Sequence, residues 1–127
     1  MFYPKDPEIY DELWDVIAPG TVNKGDDAIV QDVFGFYLYD AVVGDEVTFI
    51  YRMRQVLTDK IVGTGEEILA GDRVYFVVGQ DAVTANPAGV IGTDFYFCGW
   101  AKKDASATED TVLINFDGTV YANADMV

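Results

Sequence analysis

The chain contains no histidine, one cysteine and one serine among its 127 residues, and these absences remove the commonest catalytic constellations. A serine or cysteine nucleophile has no imidazole to act as its base, and Cys98 has none to lower the pKa of its thiol. The only serine, Ser106, lies in a polar turn. Zinc and other metals that prefer nitrogen or sulfur lack their ligands. We therefore expect no enzymatic activity, no metal and no cofactor.

Basic residues are also scarce, with eight Lys and Arg against 22 Asp and Glu, so the formal net charge is −14. Such a chain is repelled by phosphate backbones and anionic lipid, which makes nucleic acid and membranes poor partners. The N-terminus lacks a basic stretch followed by an apolar one, and no apolar run approaches the ~20 residues of a membrane span. The lone Cys98 allows no internal disulfide, and we expect a protein made in a reducing cytoplasm.

Apolar surface, by contrast, is plentiful. Half of the residues are hydrophobic, and they include eight Phe, eight Tyr and two Trp. This is enough to offset the conformational entropy that keeps many acidic chains disordered, so we expect a folded protein. A length of 127 residues suits a single domain with a sizeable core.

A turn followed by a strand recurs four times along the chain. The three clear copies and a degenerate fourth begin at Gly25-Asp26, Gly44-Asp45, Gly71-Asp72 and Glu109-Asp110. Gly tolerates a positive φ, Asp bonds its own backbone, and the β-branched and aromatic residues that follow suit a pleated strand. The spacings of 19, 27 and 38 residues are irregular, which argues against a solenoid or propeller and indicates one β domain.

The first 18 residues differ from the rest, and we divide the chain into an N-terminal arm (1–18), a β domain (19–118) and a tail (119–127). Asp6 and Pro7 can begin a helix, and Pro19-Gly20 would end it. Between them apolar residues fall at helical spacing: Ile9, Leu13, Trp14 and Ile17. We predict a short helix over 7–16, and the competing interpretation makes Trp14–Ala18 a strand.

From residue 28 onward the pattern alternates between strands and turns. The predicted strands are 28–33, 34–39, 46–54, 73–78, 95–101 and 111–116. Residues 79–94 are predicted to form a loop, and the end of the chain after Gly118 is predicted to fray. Several short strands separated by turns predict an all-β fold, a single small β-barrel or β-sandwich.

Two other chemical interpretations of the sequence are weaker. Asp26-Asp27 and Asp45-Glu46 bring carboxylates together, but neither has the ligand spacing of a calcium loop, and solvated turn residues are the better interpretation. A carboxylate pair for glycoside hydrolysis carries almost no information among 22 acidic residues.

Cys98 lies in an aromatic run, where cysteine commonly behaves as a small hydrophobe.

The order of the segments resembles the small capsid decoration, or cement, proteins of tailed bacteriophages, over about 100 residues. The most specific segment is Ala70-Gly71-Asp72-Arg73-Val74-Tyr75-Phe76. The others are Ile17-Ala18-Pro19-Gly20, Lys24-Gly25-Asp26, Val33-Phe34-Gly35-Phe36, Ala41–Val47, Val90-Ile91-Gly92, Gly99-Trp100-Ala101 and Thr111-Val112-Leu113-Ile114. The chain departs from the family pattern in its many aromatics, its longer N-terminal segment and its extra tail after Asn115.

This resemblance implies a β-rich structural protein of the virion that binds the outer surface of the phage head. Its partners would be the major capsid protein and further copies of itself, with a trimer favoured over a dimer. The implied mechanism is stabilisation of the head by bridging neighbouring capsomers, without catalysis. The alternative is a small β-rich binding module, such as a head-fibre or glycan-binding domain.

Candidate contact residues follow from composition, because aromatics are over-represented at interface hot spots. The aromatic residues of the arm are proposed to grip the capsid or a neighbouring subunit: Phe2, Tyr3, Tyr10 and Trp14. The competing interpretation is that these rings cover the domain's own core. Arg52 and Arg54, on one face of a predicted strand, are proposed to pair with acidic groups across a contact, although exposed basic residues are usually only solvated.

Overall fold

A computed structural model describes residues 2–4, 10–87 and 95–119, without the side chains of residues 10–12. The described residues form an all-β fold, a strongly curled antiparallel sheet that closes into a half-barrel. The strands are β1 (Phe2–Pro4), β2 (Tyr10–Ile17), β3 (Asp27–Val30), β4 (Val33–Tyr37), β5 (Glu46–Asp59), β6 (Arg73–Val77), β7 (Ala82–Thr84), β8 (Phe95–Ala101) and β9 (Thr111–Asp117).

The long strand β5 is the centre of the sheet. Along one edge it pairs with β1 and β2, and along the other with β4 and β9, in each case antiparallel. The sheet then continues in the order β3-β4-β5-β9-β8-β6-β7. The register of β5 against β9 shifts between Met53 and Val56, which is the irregularity expected where a strand bends.

The predicted helix over 7–16 is wrong where the structure can test it. Residues 10–17 form β2, so the competing strand interpretation is confirmed, and residues 7–9 lie outside the described residues. Trp14 and Val16 pack against one cluster of the core, whereas Leu13 packs against the other, as alternating strand positions should. The edge of β5 pairs with seven residues of β2, and this pairing overrides a weak helical pattern.

Most other predictions of secondary structure are confirmed to within a few residues. The strand predicted over 46–54 continues to Asp59, and the one over 28–33 ends at Val30 because Gln31 and Asp32 form a tight turn with positive φ. The predicted loop over 79–94 contains β7, a short strand. Residues 88–94 of that loop, and residues 120–127 of the predicted tail, lie outside the described residues.

The larger core cluster is built around aromatic rings from distant parts of the chain. Phe2, Phe34, Phe36 and Phe116 all have exposed fractions of 1% or less. The ring of Phe2 lies 5.1 Å from Phe116 and 5.4 Å from Phe36, centroid to centroid, as in ordinary aromatic packing. Burial of each ring contributes roughly 2 kcal/mol, so the strand nearest the N-terminus supplies part of the core.

The sheet contains the same four-stranded unit twice, with β5 shared between the copies. In the first unit β2, β3, β4 and the beginning of β5 follow one another along the chain and pair in the order β3-β4-β5-β2. The second unit consists of the end of β5 followed along the chain by β6, β8 and β9. Its strands pair in the corresponding order, β6-β8-β9-β5. Strands β1 and β7 are additions to this plan.

Two glycines occupy equivalent places in the two units. Gly35 on β4 and Gly99 on β8 both lie where a Cβ atom would collide with a carbonyl oxygen of the next strand, that of Ile50 and that of Asn115 respectively. Gly99 also has a φ of +145°, which an L side chain rarely adopts. Close backbone approach on the core side of each unit therefore requires glycine at both positions.

We expect Gly35→Ala and Gly99→Ala each to lower the free energy of unfolding by about 3 kcal/mol or more, because the backbone carbonyls in contact cannot move aside cheaply. Gly20→Ala is the matched control, since a Cβ there meets nothing within 4 Å, and it should change stability by less than about 0.5 kcal/mol. Urea unfolding followed by tryptophan fluorescence measures all three, and an unchanged midpoint for Gly99→Ala would contradict the assignment.

Candidate functional site

The four recurrent turns have the same hydrogen-bonding plan. In the first, the Asp26 backbone N–H donates to the Asn23 carbonyl (3.0 Å), and the Asn23 N–H donates to Asp26 Oδ2 (2.9 Å). The turns that end at Asp45, Asp72 and Glu109 repeat both bonds over the same three-residue separation. The recurrent carboxylate therefore closes its own turn by accepting the backbone N–H three residues before it.

Glycine provides the positive φ in three of these turns, with values of 88° at Gly25, 90° at Gly44 and 91° at Gly71. A positive φ at the third turn position is typical of a type II turn. In the degenerate copy Thr108 takes that place and is not among the residues with a positive φ. The degenerate turn keeps its hydrogen bonds with a different backbone conformation.

The four turns associate in two pairs. A backbone bridge joins Val22 to Ala41, and the Lys24 N–H donates to Asp40 Oδ1 (2.7 Å). The second unit repeats this arrangement with a bridge between Ile68 and Ala105 and a bond from the Ala70 N–H to Asp104 Oδ1 (2.8 Å). We name residues 22–26 with 40–46 turn pair A, and residues 68–72 with 104–110 turn pair B.

The two turn pairs lie at opposite ends of β5. Turn pair A runs directly into the first residue of β5, Glu46, whereas turn pair B leads into β9, whose Thr111 pairs with the last residue of β5, Asp59. A strand of 14 residues is at most about 45 Å long. One molecule therefore presents the same hydrogen-bonding arrangement at both ends of β5.

Exposed aliphatic side chains concentrate at both ends. At turn pair A, Val42 and Val43 are 57% and 69% exposed, and Ile17 beside them is 63% exposed. Hydrogen bonds from the Ala18 N–H to the Asp45 carbonyl and from the Gly44 N–H to the Ala18 carbonyl hold these segments together. At turn pair B the exposed residues are Leu69 and, next to the Ala107 turn, Val62.

A shallow open depression of about 260 Å³ lies on turn pair A, between its two turns. Its lining comprises Thr21, Val22, Asn23, Asp40, Ala41, Val42 and Asp45. Apolar and carboxylate groups face it together, so it suits a side chain that is aliphatic along its length and basic at its tip.

The carboxylates of the turn pairs do not form a metal site. Within residues 2–4, 10–87 and 95–119, no group of three or more His, Cys, Asp or Glu could hold a metal ion. Asp26, Asp40 and Asp45 each accept a backbone N–H, which explains their positions without a ligand. None of these described residues forms a helix long and apolar enough to span a membrane.

The aromatic residues proposed as contacts differ in how deeply they are buried. Phe2 is fully buried in the core and therefore cannot contact a partner in this conformation, whereas Tyr3 is 41% exposed. Trp14 is half-buried, with its ring 4.7 Å from that of Tyr51 and 6.3 Å from that of Phe49. The side chain of Tyr10 lies outside the described residues. Tyr3 and the exposed part of Trp14 thus stay available to a partner.

The two basic residues of β5 that were proposed as contacts, Arg52 and Arg54, already have interactions within the molecule. Arg52 Nε lies 3.8 Å from Asp117 Oδ2 within the molecule, and the side chains are 45% and 16% exposed. Exposed ion pairs of this kind contribute at most about 1 kcal/mol. Arg54 is exposed and takes part in interactions of its own. Both residues lie near the middle of β5, away from the turn pairs.

Cys98 is completely buried, as its sequence context predicted. Its Sγ lies 3.6 Å from the Val74 carbonyl oxygen, to which the thiol donates. Burial raises the pKa of the thiol far above its usual range, because the core cannot solvate a thiolate. The side chain acts as a small apolar group of the core.

Sequence reasoning recognised the individual turns but missed their association and the duplication. A signal was present: the spacing of Gly35 from Asp40-Ala41 recurs in Gly99 and Asp104-Ala105, each set being 64 residues further along. The first turns of the two units, however, are only 46 residues apart, from Gly25 to Gly71. A search for one constant period cannot find this repeat.

Comparison with known proteins adds no identity. No protein-family model, no curated protein and no solved structure matches the chain.

We expect Phe2→Ala to lower the free energy of unfolding by about 4 kcal/mol, because it leaves a cavity among four phenyl rings. Tyr3→Ala, one residue away and 41% exposed, is the control and should cost less than about 1 kcal/mol. Chemical unfolding of both variants tests the assignment. If Phe2→Ala were as stable as the wild type, Phe2 would return to the set of candidate contacts.

We expect Cys98 in the native protein to resist a thiol-specific reagent at pH 8, with a reaction rate that follows global unfolding. Ser106→Cys places a thiol on the exposed turn of turn pair B, and combined with Cys98→Ala it serves as the reactive control. The absorbance of the released chromophore measures both rates. Labelling of Cys98 as fast as that of the control would contradict its burial.

Proposed function

We propose that the protein is a structural component of a bacteriophage virion, a decoration protein that binds the outer surface of the head and stabilises it by bridging capsomers. The observation that most directly supports this is that turns with the same hydrogen-bonding plan, each beside exposed aliphatic side chains, lie at the two ends of β5. The resemblance in the order of the turn and strand segments supports the same proposal from the sequence.

The distribution of chemistry in the molecule agrees with a binding role. The sole thiol is buried, and the carboxylates of Asp26, Asp45 and Asp72 accept backbone N–H groups of their own turns. The groups left at the surface suit recognition of another protein. These are exposed aliphatic side chains, the ring of Tyr3 and a large excess of carboxylates.

Stabilisation of the head would follow from the number of contacts and from the regular arrangement of the shell. Each contact at a turn pair is small compared with a standard interface of about 800 Å² per partner, so each is weak alone. A regular shell repeats the partner site many times, and binding of several sites at once raises the overall affinity. Because the decoration protein binds only the assembled arrangement, expansion or rupture of the shell has to break these contacts.

A second candidate function is a β-rich binding module for glycans, in a head fibre or a similar structure. The exposed ring of Tyr3, and Trp100 with 38% of its surface exposed, could stack on a sugar. Trp100, however, packs its ring 4.9 Å from that of Phe97, which covers part of it. We prefer the decoration role because the order of the turn and strand segments resembles that family.

The test is binding to empty shells assembled from the major capsid protein encoded in the same genome. We expect the purified protein to sediment with the shells, to saturate at a fixed ratio to the capsid subunits, and to raise the temperature at which the shells rupture. A glycan array is run in parallel. Specific glycan binding without sedimentation on shells would refute decoration and favour the second candidate.

A further inference from the structure

Basic residues are scarce in this chain, and half of them lie on one exposed surface of the sheet. Strands β6, β8, β9 and β5 are neighbours in that order. On these strands, or directly after them, lie four of the eight Lys and Arg, all exposed: Arg52, Arg54, Arg73 and Lys102. We name these four residues, together with Trp100 and Asn115, the basic face.

Trp100 lies at the centre of the basic face. It pairs in register with Arg73 on one side and with Asn115 on the other. Because Val74 and Ala101 are buried in the core, Arg73 and Trp100 point to the outer side of the sheet. Trp100 is 38% exposed, and within the described part of the chain neither Arg73 nor Lys102 forms an ion pair. The basic face therefore presents an aromatic surface between cations.

The end of the molecule at turn pair A has the opposite charge. There three exposed aliphatic residues lie among four carboxylates, and we name this set the acidic tip: Ile17, Val42, Val43, Asp15, Asp40, Asp45 and Glu46. Ile17 pairs in register with Glu46, and Asp15 points to the same side of β2 two residues earlier. Lys24 is the one basic residue of turn pair A. The acidic tip is thus apolar at its centre and negative around it.

We propose that the acidic tip of one molecule docks on the basic face of a second copy of the chain. The aliphatic side chains of the tip cover the exposed part of the Trp100 ring, and its carboxylates pair with the Arg and Lys around that ring. This inference goes beyond the proposed function and does not depend on it. The contact joins two different surfaces, so two copies joined once still have one free surface of each kind, and association continues until a ring closes.

The distribution of charge selects this orientation of the two copies. The formal net charge is −14 although the basic face is positive, so the rest of the molecule is strongly acidic. Two copies that meet through the rest of their surfaces bring carboxylates together, which is unfavourable. Attraction therefore requires the basic face of one copy to meet an acidic surface of the other.

Exposed apolar groups select the acidic tip among the acidic surfaces. Turn pair B also exposes an aliphatic residue, Leu69, but the exposed cations Arg73, Lys102 and Lys103 flank it. Docking of turn pair B on a basic face would bring these like charges together. The acidic tip has three exposed aliphatic groups and a single nearby cation, and it is complementary to the basic face in both charge and apolar character.

The test measures self-association of the purified full chain by sedimentation velocity over a range of concentrations. The face variant carries Arg73→Glu and Lys102→Glu, and the tip variant carries Asp15→Lys and Glu46→Lys. All four residues are exposed. Each variant is required to keep the urea midpoint of the wild type, and if one loses stability, Lys102→Glu alone or Glu46→Lys alone replaces it.

The matched control combines Glu67→Lys with Asp110→Lys. Both residues are exposed and lie outside the acidic tip and the basic face. The control changes the net charge by the same amount as the tip variant does, so a difference between the two proteins reports the position of the charges.

We expect the wild type to form oligomers that grow with concentration, and the face and tip variants each to associate roughly tenfold more weakly or less. The tip variant is the stricter case, because its smaller net charge lowers the general repulsion between copies. An equal mixture of the two variants should regain wild-type association, since the glutamates of the reversed face then meet the lysines of the reversed tip. The control should associate at least as strongly as the wild type.

Three outcomes would overturn the inference. The first is a wild type that stays monomeric at every concentration; if the face variant then also fails to bind empty shells that the wild type binds, the occupant of the basic face is the capsid protein. The second is an oligomer that neither variant weakens. The third is a mixture of the two variants that does not regain association, because the two surfaces then do not contact each other.

Discussion

The pairing of β5 on both of its edges is the constraint on which the rest of the structure depends. This one strand receives β1 and β2 on one side and β4 and β9 on the other, so four segments from across the chain are held in register by it. Its length separates the two turn pairs. Its edge also decides the conformation of residues 10–17, whose local pattern favours a helix but which pair with β5 at seven positions as a strand.

Packing within this frame is controlled by glycine and by aromatic rings in complementary ways. Gly35 and Gly99 permit close approach of neighbouring strands, where any side chain would meet a carbonyl oxygen. The space that the curled sheet encloses is filled by phenyl rings, among them that of Phe2, one residue from the first in the sequence. An aromatic-rich N-terminal segment is therefore ambiguous by composition, and in this protein its first ring belongs to the core while Tyr3 remains exposed.

We propose that the molecule acts through its surface. The sole thiol is buried, the carboxylates of Asp26, Asp45 and Asp72 cap their turns, and exposed aliphatic side chains lie at both ends of β5. Small contacts of this kind give low affinity one at a time, because each immobilised partner costs translational and rotational freedom. Weak contacts become effective when many of them form at once on a repeating surface, and this is why a shell of identical subunits is the partner that we propose.

The sequence by itself determined the all-β class, the strands from residue 27 onward to within about five residues except β7, the burial of Cys98 and the three Gly-Asp turns. These follow from local chemistry: β-branched alternation, the φ freedom of Gly and the hydrogen bond from Asp to its own turn. Only the tertiary structure decided that residues 10–17 are a strand, that Phe2 is core, and that the turns meet in pairs at the two ends of β5. Those outcomes depend on contacts between residues far apart in the chain, and the unequal offsets of 46 and 64 residues conceal the duplication from any local pattern.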